Sequence, residues 1–302
     1  MPDGASTLTD RFDHLVFLHD AELATTEPRP RQARPAARGG PAEPEPEPDP
    51  ELAGLLGWLC ARAGVNPEDY RASVFQRRSK SCLRAVRAAS YAEARALAER
   101  SPEAGDRLLN ALLVGVTSFF RDPGVFDALR PHLAASARPP TVLSVGCSAG
   151  CELYSCAIVL AELGLLGGAT LVGFDCRPAA VRAARLGVYS GASVEHLPSH
   201  IVDRYFVSDE NGRVRVRDDL RAACSWRVGE AFSARAGRPA DVVLCRNVAI
   251  YLEPHATLRL WERLHARLAS GGLLVVGKAE RPTASLFTRV GPCLFRRNGG
   301  DL

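Results

Sequence analysis

Four short runs of consecutive apolar residues, spaced by helical patterns, constrain this chain more than any other feature. They are Thr141 to Gly146 (TVLSVG), Thr170 to Asp175 (TLVGFD), Asp241 to Asn247 (DVVLCRN) and Gly272 to Lys278 (GLLVVGK). A strand that is apolar on both faces needs cover on both, which a parallel sheet between two helical layers provides. The spacers at Glu152–Leu163, Pro178–Leu186 and Pro254–Leu268 carry helical periodicity. The pattern predicts an α/β fold with a doubly wound, mostly parallel sheet. Residues 206–216 (FVSDENGRVRV) add a small β-hairpin insertion turning at Asn211-Gly212.

Two further segments precede the sheet. From Glu27 to Pro50 the chain is rich in Pro and charge and nearly free of large apolar residues, so it cannot bury enough surface to offset its ordering entropy. Residues 1–50 therefore read as a disordered Pro/Glu-rich tail, with a short helical pattern on Leu8, Phe12, Leu15, Val16, His19 and Leu23. Residues 51–135 read as a small helical domain. Its first helix bears the stripe Leu52, Leu55, Leu56, Leu59 and Cys60, and a second runs from Pro67 to Ala88. Ser90 with Glu93 forms a capping box, Ser101-Pro102-Glu103 opens a fourth helix, and Pro123 opens a fifth. Residues 136–302 form the sheet domain.

Several function classes drop out. With 46% hydrophobic and 24% charged residues the chain supports a globular core. A net charge of +4 does not call for nucleic acid. No run reaches the roughly 20 apolar residues of a membrane span, and Asp3 and Asp10 do not fit a secretory signal. Nine cysteines without regular spacing suit a reducing cytoplasm better than a disulfide framework. Cys147, Cys151 and Cys156 miss the spacing of a zinc pair, so no metal is expected.

The turn Val145-Gly146-Cys147-Ser148-Ala149-Gly150 carries the first chemical signal. Its glycines allow a tight turn and close backbone approach to a ligand, and a helix N-terminus follows. Any α/β protein has such turns. Here Asp175 ends the next strand, where a carboxylate takes the hydroxyls of a ribose. Together they read as a nucleoside-cofactor site, and the absence of the dinucleotide and Walker patterns weighs against NAD and ATP.

Four segments then resemble one family in order and position: TSFFRDP at Thr117–Pro123, GCSAGCELYSCA at Gly146–Ala157, FDCRPAAVRAARLGVY at Phe174–Tyr189 and CRNVAIYL at Cys245–Leu252. They resemble the CheR-type methyltransferases, which methylate glutamates of chemotaxis receptors, over about Glu51 to Arg297. The resemblance implies a Rossmann-like methyltransferase domain using S-adenosylmethionine, with S-adenosylhomocysteine as product. It places Thr117, Arg121, Gly146, Glu152, Asp175, Glu230, Ala231, Arg246 and Asn247 at cofactor-contacting positions, and Arg121 with Tyr251 near the transferring methyl. The residue types suit this. A sulfonium cofactor needs carboxylates for its ammonium and hydroxyls, and Arg121 can hold an incoming carboxylate bidentately. The alternatives are a surface ion pair for Arg121 and a core aromatic for Tyr251.

Arg77, Lys80, Arg84 and Arg87 are spaced by three, four and three, so they share a helix face. The family's corresponding helix faces an acidic receptor helix, which implies a chemoreceptor cytoplasmic domain or similar acidic helical partner; a merely solvated basic face is the alternative. The chain departs from the family at Gly115 (commonly Asn), Cys151, Leu153, Arg177 (commonly an acid) and Glu230-Ala231 (commonly Asn-Leu). Its hairpin has a single glycine, Gly212, where members that bind a receptor tail carry several. These departures keep two other readings open: methylation of a different acceptor, or a signalling scaffold without cofactor.

Overall fold

A computed structural model describes residues 49–113, 115–229 and 238–299. Of the expected tail, residues 49 and 50 are described and belong to the first helix, Asp49 as its cap and Pro50 as its first residue; the rest, with the short helix, lies outside the described residues. Four helices come first: α1 (Pro50–Ala63), α2 (Ala72–Val86), α3 (Tyr91–Arg100) and α4 (Pro102–Leu112). Their apolar faces close a core of their own around Leu55, Leu59, Leu108, Leu109 and Leu112. The caps act as the sequence suggests: the Ser90 and Ser101 hydroxyls accept from the Glu93 and Ala104 amides. The return bond of the expected box is displaced by one residue: Glu93 accepts from the Ala89 amide at 2.8 Å rather than from that of Ser90.

The second helix differs from the expected continuous run. Pro67–Asp69 forms a single 3-10 turn, Tyr70 and Arg71 are extended, and α2 starts only at Ala72. The break has a cause far along the chain. Tyr70 bridges Leu252 in antiparallel fashion, the Arg71 amide donates to Tyr251 O at 3.0 Å, and the Glu253 amide donates to Asp69 O at 2.9 Å. Tertiary pairing overrides local helical preference there.

After α5 (Pro123–Ala134) the sheet domain runs β1 (Thr141–Val145), α6 (Cys151–Glu162), β2 (Thr170–Asp175), α7 (Pro178–Leu186), β3 (Val188–Ser190), α8 (Ser199–Tyr205), β4 (Phe206–Ser208), β5 (Arg213–Val216), α9 (Asp218–Ala223), β6 (Cys224–Val228), β7 (Ala240–Cys245), α10 (Pro254–Arg267), β8 (Leu268–Val276), β9 (Phe287–Gly291) and β10 (Leu294–Arg297). Among the described residues the main sheet has seven strands in the order β6-β2-β1-β7-β8-β10-β9. The first five are mutually parallel, and β10 pairs antiparallel with both β8 and β9. One face packs on α5, α6 and α7, the other on α10. Thus α5 contributes Phe126, Leu129 and Leu133 to the core under the sheet rather than to that of the first four helices. The hairpin forms as expected, turning with Gly212 at φ 69°, and β3 joins it to make a separate three-stranded sheet.

The strand order reverses direction between β1 and β7, which places a crevice at the carboxyl ends of these strands. Ligands bind open α/β sheets at such a switch point.

Candidate functional site

The turn after β1 is built as the sequence suggests. Gly146 and Gly150 have φ of 71° and 93°, and the Gly146 and Cys147 amides both donate to Phe174 O at 2.9 Å. The missing side chains are used from within. A Cβ at Gly146 would lie 2.6 Å from Val248 Cγ2, and one at Gly150 2.7 Å from Trp226. Gly146 is exposed to the crevice. Cys147, Cys151 and Cys156 are buried, and burial pushes the Cys151 and Cys156 thiols up to about 12.

The TSFFRDP segment lies across this turn. Ser148 Oγ donates to Gly115 O at 2.8 Å, the Phe120 amide donates to Ser155 Oγ at 2.8 Å, and the Phe119 ring packs edge-on against Tyr189 and Phe206. Thr117 is half-buried beside the Cys151 thiol. Arg121 is exposed, with Nη1 on Val116 O at 3.2 Å. Its guanidinium folds back on its own segment.

Arg246, its side chain 2% exposed, is an internal bracket. Nη2 donates to Asp122 Oδ2 and Arg121 O, each at 2.9 Å, and Nη1 lies 3.5 Å from Glu152 Oε2. Glu152 also accepts from Ser144 Oγ at 2.9 Å. Burial raises the Glu152 carboxyl above its ordinary value, against the lowering influence of Arg246 and Ser144. Burial would raise Asp122 as well, but Lys278 at 2.5 Å and Arg246 outweigh it and hold that carboxyl low. Asp122 and Glu152 thus share one buried cation at the end of β7.

The CRNVAIYL loop is held by a residue that sequence reasoning missed. Glu280 is 3% exposed and accepts four backbone N–H groups: Asn247 at 2.9 Å, Val248 at 2.8 Å, Ala249 at 2.7 Å and Gly277 at 2.6 Å. Asn247 has φ 60°, a left-handed conformation that asparagine tolerates. Tyr251 follows half-buried, its carbonyl tied to Arg71. Glu280 stands three residues beyond Gly277, in a stretch with no motif to flag it.

Asp175 closes the other end. Its Oδ1 accepts the Arg177 amide at 3.0 Å and Arg177 Nε at 2.9 Å. Its Oδ2 accepts the Ser148 amide at 2.8 Å and Arg177 Nη2 at 3.1 Å. A carboxylate offers about four acceptor positions, and all are filled from within the chain. Glu230 and Ala231 lie outside the described residues. The stripe Arg77, Lys80, Arg84 and Arg87 is exposed, and among the described residues none of the four pairs with a carboxylate.

A nucleoside cofactor fits most of this arrangement. The glycine turn faces the crevice, α6 begins without a side-chain cap, and Glu152 is a largely buried carboxylate in its first turn. A cleft lined by Tyr70, Gly146, Asp175, Gly229, Val248 and Leu252, among others, encloses about 140 Å³. Within this lining it is at Asp175 that the acceptor positions are taken.

Fold and site together define a doubly wound α/β transferase domain with a nucleoside-cofactor crevice at its strand ends. Residues 115–288 match the family described as "CheR methyltransferase, SAM binding domain"; the chain belongs to this family and is an S-adenosylmethionine-dependent methyltransferase. It is 33% identical to the "Probable biofilm formation methyltransferase WspC" of Pseudomonas putida, over 78% of this chain and 57% of that protein. It is 32% identical to "Chemotaxis protein methyltransferase 2" of Pseudomonas aeruginosa, over 72% of this chain and 81% of that protein. The "Chemotaxis protein methyltransferase" of Klebsiella aerogenes is 29% identical, over 72% of this chain and 79% of its own length. The chain thus spans little more than half of the first relative. No helix among the described residues is long and apolar enough to cross a membrane.

Proposed function

We propose that the chain transfers a methyl group to side-chain carboxylates, glutamates, of an acidic helical protein such as a chemoreceptor cytoplasmic domain, forming a methyl ester. The observation that carries this reading is the join between a basic surface and the crevice. The exposed face of Arg77, Lys80, Arg84 and Arg87 belongs to α2 and its C-cap, and the residue before α2, Arg71, bonds the backbone of Tyr251 and Leu252. An acidic helix on that face is delivered to the loop that lines the site, and complementary charge assists its approach.

When bound, the cofactor supplies an electrophilic methyl and leaves as S-adenosylhomocysteine; Glu152, Asp175, Thr117 and the glycine turn would hold it. The acceptor carboxylate, with an ordinary pKa of about 4.3, is already ionised at neutral pH and needs no general base. The protein's task is alignment and exclusion of water. Arg121 binds the incoming carboxylate at the mouth of the crevice. Asn247 and Tyr251 shape the opposite wall, which Glu280 keeps in place.

The test uses S-adenosylmethionine labelled on its methyl and a glutamate-rich receptor fragment. Base-released labelled methanol that falls more than tenfold in Arg121→Ala, with an unchanged melting temperature, is the expected result. Base-stable label, or methanol release indifferent to Arg121, refutes the reading.

A further inference from the structure

Two departures from the family pattern, read separately in the sequence, meet in the fold. Arg177 is 6% exposed, and its side chain lies back over Asp175 and donates through Nη1 to Leu113 O at 3.2 Å. It can lie there because residue 115 is glycine. A Cβ at Gly115 would fall 2.0 Å from Arg177 Nη1 and 2.5 Å from its Cζ. Burial alone would lower the affinity of the guanidinium for its proton, but Asp175 more than offsets that. The pair is buried and closed on itself.

We propose that Arg177 is a built-in plug of the ribose subsite. Its side chain occupies two of the four acceptor positions of Asp175, and cofactor hydroxyls reach that carboxylate only when the arginine swings out of the berth left by Gly115. The Arg177 and Ser148 amides keep the other two positions and hold the Asp175 carboxylate in place throughout. Loading the cofactor is therefore coupled to displacement of a buried ion pair, and the apparent affinity is lowered by the small fraction of molecules with the berth open. This deepens the cofactor end of the proposed function and makes no use of the acceptor.

The experiment is titration calorimetry on the full chain with S-adenosylhomocysteine and with its 2′,3′-dideoxy analogue, which lacks the hydroxyls that compete with Arg177. Arg177→Gln is expected to bind S-adenosylhomocysteine about tenfold more tightly or better, and the dideoxy analogue no more tightly than the unaltered chain does. Gly115→Ala, which leaves the arginine no berth, is expected to gain in the same way and stands in should Arg177→Gln fold poorly. In the unaltered chain the Arg177 Nε–H should exchange slowly by NMR and become fast on adding S-adenosylhomocysteine. Equal affinities, weaker binding by both variants, an equal gain for both ligands, or no binding by any of the three chains overturns the proposal. Loss of carboxyl methylation with the affinity gain intact would fall on the acceptor reading alone.

Discussion

Gly115 and Arg177 are matched by volume: the guanidinium fills the space a side chain at residue 115 would need, at 2.0 Å from the first added carbon. Three hydrogen bonds fix the guanidinium, so it cannot yield cheaply. Restoring the family's asparagine at residue 115 should overpack this site and cost about 1–3 kcal/mol in urea unfolding. In an Arg177→Ala background the same change should cost far less, because the two positions share one space and their effects do not add. Additive losses would separate the two residues.

Glu280 is the single acceptor for the amides of Asn247, Val248, Ala249 and Gly277. Replacing it by alanine strands four donors, each costing about 1–3 kcal/mol when buried without a partner. A loss of at least about 3 kcal/mol in urea unfolding is expected. Glu280→Gln keeps one oxygen and should lose less, while hydrogen exchange at Val248 and Ala249 speeds up. Unchanged exchange at those amides would mean that the loop is held by something else.

What the sequence made legible follows from the range of the forces. The strands Thr141–Val145 and Thr170–Asp175 and the helix Pro178–Leu186 were readable because burial on both faces and 3.6-residue periodicity are local patterns. The caps at Ser90 and Ser101 are local too. The break at Tyr70–Arg71 was not readable, since its partner Leu252 lies 181 residues beyond Arg71. The strand Cys224–Val228 alternates buried and exposed residues over only its first four positions, too short to stand out. At the site, residue types were visible but pairings were not. Asp175 read as a ribose acceptor and Arg177 as an isolated charge change, and only the fold shows one closing on the other. Arg246 read as a cofactor contact, and its bonds to Asp122 and Glu152 are made within the chain.

Asp122 provides a pH signature. Burial works against it, but Lys278 and Arg246 depress its folded pKa below the ordinary 3.8. A depressed carboxylate stabilises the fold at pH above its unfolded value, and that contribution fades as pH falls through the folded value. Asparagine accepts the left-handed backbone found here, φ 57°. Asp122→Asn should therefore lose about 1.5 kcal/mol at pH 7, and the gap to the unaltered chain should close below about pH 4. A gap that is the same at pH 7 and pH 3 would show that the charge of Asp122 is not what stabilises this turn.

The basic face of α2 offers the sharpest separation of acceptor from cofactor. Arg77, Lys80 and Arg84 are exposed, and the side-chain bonds of the two arginines stay within their own helix, to Ser73 O and Ser81 Oγ. Reversing Arg77 and Arg84 to glutamate should therefore shift stability by no more than about 0.5 kcal/mol per site. Binding of S-adenosylhomocysteine should not change, because the face lies outside the crevice. Association with a glutamate-rich helical peptide should weaken by more than tenfold at low salt. That difference should shrink as ionic strength rises and shortens the screening length from about 10 Å at 0.1 M towards 3 Å at 1 M. A double variant that still methylates the peptide at the original rate at low salt would assign acceptor docking to another surface and leave the α2 stripe as a solvated face.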